Sequence, residues 1–212
     1  MNCCQCQGIE QEFNKKVVQQ ELENYRNNGA PKTTQYLVNA LKAMDVRDFS
    51  LLDIGGGVGA IQHELLAAGL QKATDIDASR AYIQAARSEA QRRGFAERIT
   101  FLHGNFVELA EQILPADIVT LDRVVCCYPD MEKMVSLSAA RAGKLYGLVY
   151  PRDTWWTRLS LGAINLWYWL QKSSFRTYVH PTRSVEALII ASGLKRVYFQ
   201  QTPGWQVVVY AR

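Results

Sequence analysis

The chain has no uninterrupted apolar stretch near the roughly 18 residues that suggest a bilayer-spanning helix, so none is expected. Its first residues are polar and cysteine-rich, unlike the apolar run of a secretory leader, and a cytoplasmic location is expected. A surplus of one charge is also missing: 24 basic residues meet 20 acidic ones, for a net of +4. Several basic residues stand directly beside acids, as in Glu97-Arg98 and Asp122-Arg123, and no basic run marks a nucleic-acid face. A nucleic-acid partner is therefore not expected. Five cysteines, bunched as Cys3, Cys4, Cys6 and Cys126, Cys127, do not form an even disulfide framework and suit a reducing compartment. Three thiols in Cys3-Cys4-x-Cys6 can ligate a soft metal, but a closed zinc site wants four ligands at wider spacing. No metal is expected, and the terminus reads as mobile. At 212 residues, 48% of them apolar, the chain suffices for one well-buried domain and is short for two.

What is present centres on Leu51-Leu52-Asp53-Ile54-Gly55-Gly56-Gly57-Val58-Gly59-Ala60. An apolar run ends in an acid, and four glycines follow within five positions. This predicts a buried parallel strand, a tight turn, and a helix from Ala60 to Ala68 whose free N–H groups face a ligand. Gly55 and Gly57 let the backbone turn sharply and approach that ligand closely. The spacing Gly55-x-Gly57-x-x-Ala60 fits a dinucleotide turn, with acids at Asp75 and Asp77 near the right distance, so a NAD-dependent oxidoreductase is one reading.

The full Asp53-x-Gly55-x-Gly57-x-Gly59 stretch resembles the first motif of the class I S-adenosylmethionine (SAM) methyltransferases. The resemblance implies that Gly55, Gly56 and Gly57 pack on the cofactor's methionine and ribose. It also implies that Asp53 helps hold the charged amino-acid end. Lys72 to Ile76 predicts the second strand, delivering Asp77. Asp77-Ala78-Ser79 resembles the family's second motif, in which the acid takes both ribose hydroxyls; a carboxylate can accept two O–H donors at once. Asp75 is the competitor, and strand alternation is expected to turn it elsewhere. Ser79 caps a helix to Arg93, stopped at Gly94. The third strand, Arg98 to Leu102, leads to Gly104-Asn105-Phe106, where the family usually has an acid. Asn105 is expected to accept from the adenine amino group and Phe106 to cover the adenine face. The fourth strand, Ala116 to Leu121, brings Asp122 and Arg123 to the sulfonium end of the cofactor, with an ion pair between them as the alternative. His103 reads as a strand-end surface residue.

Before the first strand, polar helices run from Glu10 to about Met44, broken at Asn27-Asn28-Gly29-Ala30-Pro31. Thr33 or Thr34 is expected to cap the second of them. They either lie over the cleft, with Lys32, Thr33, Thr34 or Tyr36 reaching in, or pack on the sheet edge. A helix through Met134 and Ala139 ends near Gly143, and Lys144 to Val149 forms the fifth strand. Residues 155–170 then place four tryptophans on a mostly apolar segment. It reads as a lid over a flat acceptor, a membrane-interface helix, or a core helix. A helix starting at Thr182 or Ser184, a sixth strand from Leu194 to Gln200 and a seventh from Trp205 to Ala211 close the chain. Pro203-Gly204 is short enough to make the last strand antiparallel.

The expected fold is α/β, a single Rossmann-like doubly wound seven-stranded sheet with its last strand antiparallel. N-terminal tail and helices occupy residues 1–48, and the SAM-binding domain occupies 49–212 with an apolar helical insert at 153–173. The C-terminal third is loosely similar to the magnesium-protoporphyrin O-methyltransferases, through an apolar insert followed by Tyr178-Val179-His180. That similarity implies methyl transfer, leaving S-adenosylhomocysteine (SAH), to a carboxylate or hydroxyl on a lipophilic or planar small molecule. A hydroxyl acceptor would need a base, for which His180 is the candidate, with a positioning or structural role as its alternative; a carboxylate acceptor would need none. Besides the oxidoreductase, a non-catalytic SAM-binding protein with peripheral membrane contact remains open.

Overall fold

The computed structural model describes residues 4–212, and side chains from residue 7 onward. The Cys3-Cys4-x-Cys6 reading thus lies outside the described side chains. Seven strands form one sheet: β1 (Ser50–Ile54), β2 (Lys72–Asp77), β3 (Ile99–His103), β4 (Ala116–Asp122), β5 (Ala142–Pro151), β6 (Lys195–Gln201) and β7 (Trp205–Ala211). Their order is β3-β2-β1-β4-β5-β7-β6, and β7 runs antiparallel to both neighbours. The short Thr202-Pro203-Gly204 connection can only return the chain antiparallel, as its length required. A dinucleotide sheet has the order 3-2-1-4-5-6, so this topology favours the methyltransferase expectation over the NAD one.

Helices cover both faces. The sequence pattern of each strand assigns its side chains alternately to two cores, because successive residues point to opposite faces. Leu51, Ile118, Val149 and Val207 face α3 (Lys32–Lys42) and α4 (Ala60–Ala67), with Leu37, Leu41 and Leu65 fully buried. Leu52, Val119, Leu148 and Val208 face α7 (Met131–Ala139) and α9 (Thr182–Ala191). Each fully buried aliphatic side chain contributes about 1.5–3 kcal/mol. A third, smaller cluster joins α2 (Lys15–Asn28) through Val18, Leu22 and Tyr25 to Val58 on the glycine turn and Tyr82 on α5 (Arg80–Arg93). The polar side of that contact is also tied. Burial pushes Glu89 up, but the guanidiniums of Arg92, Arg93 and Arg26 overcome it and hold the carboxylate well below its usual range.

The N-terminal region differs from expectation. The helical stretch breaks at Asn14, separating α1 (Cys4–Glu12) from α2, because the Asn14 side chain accepts from the Lys16 and Val17 N–H groups. Neither Thr33 nor Thr34 caps α3. Pro31 occupies the N-cap position without a side-chain bond, and Thr34 is committed elsewhere. Ser79 does cap α5, accepting from Tyr82 N–H at 3.3 Å, and Gly94 ends it in the left-handed region. The tryptophan-rich segment is one helix, α8 (Trp155–Leu170), capped by Thr154.

Candidate functional site

Past Ile54 the chain turns through Gly55 and Gly57, at φ of +67° and +59°, into α4. A Cβ at Gly55 would collide with Val124, and one at Gly56 would lie 2.6 Å from Asp75 Oδ1. These positions accept only glycine without rearrangement. The turn faces a cleft of about 580 Å³ at the carboxyl ends of the parallel strands. Gly55, Gly56, Gly57, Asp77, Ala78, Asn105, Phe106 and Asp122 line one end; Phe13, Leu161, Ile164, Tyr168 and Phe175 line the other. All the expected cofactor residues therefore meet in one cavity.

Asp77 presents both carboxylate oxygens. Oδ1 accepts from Ser79 N–H at 2.8 Å and Oδ2 from Gly57 N–H at 3.2 Å, so each keeps capacity for one further donor. Burial pushes its carboxyl up to about 7, against the pull of those two N–H groups. A ribose diol is the kind of two-donor ligand this carboxylate fits. Asp53 also borders the cleft. Its Oδ1 accepts from Thr120 Oγ1 at 2.6 Å, while Oδ2 is buried beside the Gln62 amide, which eases its charge without forming a well-aligned bond. A buried carboxylate oxygen with capacity for a further donor fits the ammonium of a bound amino acid. Burial raises Asp53 to about 6. Asn105 Oδ1 accepts from Val107 N–H at 3.1 Å and retains a lone pair, while its Nδ2 donates to Tyr128 Oη and Glu108. Phe106 is buried and borders the cleft, while the Arg141 guanidinium lies 5.9 Å from its ring centre.

Strand alternation does not separate Asp75 from Asp77, contrary to the expectation, because residues two apart share a face. What separates them is depth. Asp77 stands at the strand end, whereas Asp75 sits one pleat lower, wholly buried beneath Gly56 and beside Gln62.

At the end of β4, Asp122 receives the Thr34 hydroxyl from α3 and, at 3.1 Å, Nε of Arg123. The ion pair and the cleft position are thus both realised. Arg123 holds a left-handed backbone at φ +61°, which costs energy for a residue with a Cβ. The Cys126 and Cys127 thiols, 3.2 and 3.4 Å from its carbonyl oxygen, donate to it and support that conformation. Burial works against the Arg123 charge, and Asp122 and Glu21 more than restore it. Arg123 is the one cation lining the cleft among the described residues. Opposite it, Glu21 on α2 accepts from the Tyr82 hydroxyl, which burial and that carboxylate keep protonated. The sequence reading missed Glu21 and Tyr82; each is one polar residue on an otherwise polar helix and carries no local signal.

His180 is a correction. It does not line the cleft; Nε2 lies 3.0 Å from both the Val125 and Tyr128 carbonyls and pins the loop after β4. Nε2 therefore keeps its proton, and the basic nitrogen, Nδ1, belongs to a residue outside the cleft lining. Of Lys32, Thr33, Thr34 and Tyr36, only Thr34 reaches the cleft.

Comparison with known proteins gives three findings. A family model described as a methyltransferase domain matches residues 45–155, just over half of the chain. The ribosomal protein L11 methyltransferase of an Enterobacter species is 27% identical over 117 residues, 55% of this chain and 39% of that protein. The chain thus matches well under half the length of this curated relative. Among solved structures, the magnesium protoporphyrin IX methyltransferase of Synechocystis with bound SAH superposes at a TM-score of 0.74, with 18% identity, covering 96% of this chain and 98% of that one. An O-methyltransferase family protein of Burkholderia thailandensis gives 0.68 at 16% identity, covering 96% of this chain and 63% of that one.

Proposed function

The chain belongs to the methyltransferase-domain family, and from that premise we propose that it transfers the methyl group of SAM to a carboxylate oxygen of a lipophilic small molecule. The observation that carries this reading is the single cavity. It joins the glycine turn and Asp77 to Leu161, Ile164, Tyr168 and Phe175, with Arg123 on the same wall.

SAM supplies an electrophilic methyl on a cationic sulfur. The protein's part is alignment and exclusion of water. Asp77 and Asp53 hold the cofactor's two polar ends, and Asn105 and Phe106 its base. Arg123 suits an acceptor carboxylate, whose fork of oxygens its guanidinium matches. A carboxylate brings its own lone pair and gives up no proton, so the cleft needs no base. That agrees with a cleft wall without histidine among the described residues and with His180 bonded to the loop after β4. A hydroxyl acceptor would need a wall carboxylate as its base, and Glu21 and Asp122 already receive the Tyr82 and Thr34 hydroxyls.

The test is calorimetric titration with SAH and, separately, NADH, followed by a screen of lipophilic acids against their esters and alcohols. Binding of SAH alone with methylation of the acids supports the reading. Binding of NADH alone overturns it, and methylation of a ribosomal protein or of alcohols in place of acids overturns the acceptor class.

A further inference from the structure

Helix α8 is amphipathic in the inverted sense. Its inward side is fastened by polar bonds: Asn165 exchanges hydrogen bonds with Thr177, at 2.7 and 2.8 Å, and the Tyr168 hydroxyl donates to Glu12 at 2.8 Å. Its outward side carries Trp155, Trp156, Trp167 and Trp169 at 72, 45, 60 and 63% exposure, with Leu159, Leu166 and Leu170 equally bare. At 100° per residue these seven fall within an arc of about 160°. Water-facing helices show the opposite pattern.

The chain flanking this helix is basic: Arg152, Arg158, Lys172, Arg176 and Arg183 stand between Pro151 and Glu186 with one acid, Asp153. Arg158 pairs with Asp153 and Glu186 with Arg196, which leaves Lys172 and Arg183 as exposed cations without an acid partner among the described residues. A second copy of the chain docking by the same face would set that positive segment against itself. Tryptophan belongs at the boundary of lipid headgroup and acyl chain, and a basic rim belongs beside anionic headgroups. The helix has 16 residues, about 24 Å at 1.5 Å per residue, short of the roughly 30 Å hydrocarbon core. No described helix is long and apolar enough to cross a membrane.

We propose that α8 lies flat in the interface of a bilayer containing anionic lipid, with its tryptophan face buried among the headgroups. Leu161, Ile164 and Tyr168 on the same helix line the cleft, so an acceptor dissolved in the bilayer reaches the site along α8. This delivery rests on the methyl-transfer reading, while the docking does not.

The experiment uses the full chain with vesicles of phosphatidylcholine alone and of phosphatidylcholine mixed with phosphatidylserine. It reads cosedimentation, the tryptophan emission shift, solution mass by light scattering, and SAH affinity. Partition into the anionic vesicles at least about tenfold above the neutral ones, weakening with salt, is expected. The variant W155S/W167S/W169S should lose that partition and keep its SAH affinity, since none of the three lines the cleft. Lys172→Glu with Arg183→Glu should abolish the preference for anionic lipid. A protein that binds SAH but neither vesicle overturns the docking and leaves the methyl-transfer reading intact. One that docks but binds no SAH overturns that reading alone. A dimer that the triple substitution dissociates, with vesicle binding absent, assigns the face to a second copy and overturns the lipid.

Discussion

Asp53 and Asp75 occupy paired positions on adjacent parallel strands, both withdrawn from solvent beneath the glycine turn. Burial, then the charges of Asp53 and Asp77, push the Asp75 carboxyl well above its usual range, against the pull of Gln62 and the Gly56 N–H. The folded state therefore keeps a proton that the unfolded chain releases near pH 4. Stability contributed at this site is lost as pH rises. Asp75→Asn keeps the shape without the charge. It should stabilise the protein by about 1 kcal/mol at pH 8, a gain shrinking toward pH 4. Urea unfolding at several pH values reads this, and a variant less stable at pH 8 would refute it.

Asp77 governs cofactor affinity through its ionised form. With its carboxyl at about 7 in the free protein, binding of hydroxyl donors favours the carboxylate and expels a proton. SAH affinity should fall by up to about tenfold per pH unit below 7. Calorimetry in buffers of different ionisation heat should show proton release near neutrality. Asp77→Ala should cost about 3 kcal/mol, roughly 100-fold in affinity. A flat profile from pH 6 to 8 would remove the ribose role.

Arg123→Gln should raise KM for a carboxylate acceptor by about 10- to 100-fold, with Arg123→Lys between the two because lysine lacks the planar fork. SAH affinity should stay within about threefold. Equal effects on acids and on their neutral analogues would show that Arg123 does not hold the acceptor.

His180→Ala removes one donor shared by the Val125 and Tyr128 carbonyls, the first of which keeps the Tyr128 N–H at 3.3 Å, and should cost about 1 kcal/mol of stability. Turnover at saturating acceptor should stay within about threefold, whereas a general base would cost about 100-fold or more. Thermal unfolding alongside kcat separates the two roles, and loss of kcat in a stable variant would restore His180 as a base.

The regular parts of this fold were open to sequence reasoning where chemistry is local. Ser79, Gly94 and the Val207–Val209 run announce a cap, a stop and a strand by their own bonding preferences, and all three stand as expected. The glycine turn is legible for the same reason: glycine adopts its left-handed backbone without strain and leaves room for Val124 and Asp75 against it. Side-chain direction was less accessible. Periodicity shows which residues share a face and not whether that face turns inward, so the outward tryptophans of α8 came as one of three readings. The break at Asn14 depends on one side chain bonding its own backbone. The pinning of His180 depends on carbonyls more than 50 residues away in sequence, which spacing does not encode.

Gly8 on α1 lies against the backbone at Phe175, where an added Cβ would sit 2.5 Å from the Phe175 nitrogen. Together with the bond from Tyr168 to Glu12, this makes residues 4–12 and 155–178 one mechanical piece, although they stand at opposite ends of the sequence. That piece covers the apolar end of the cleft, where Tyr168 and Phe175 stand against each other and Phe13 packs on Phe175. A side chain added at Gly8 would therefore disturb the apolar end of the cleft from a position that does not line it.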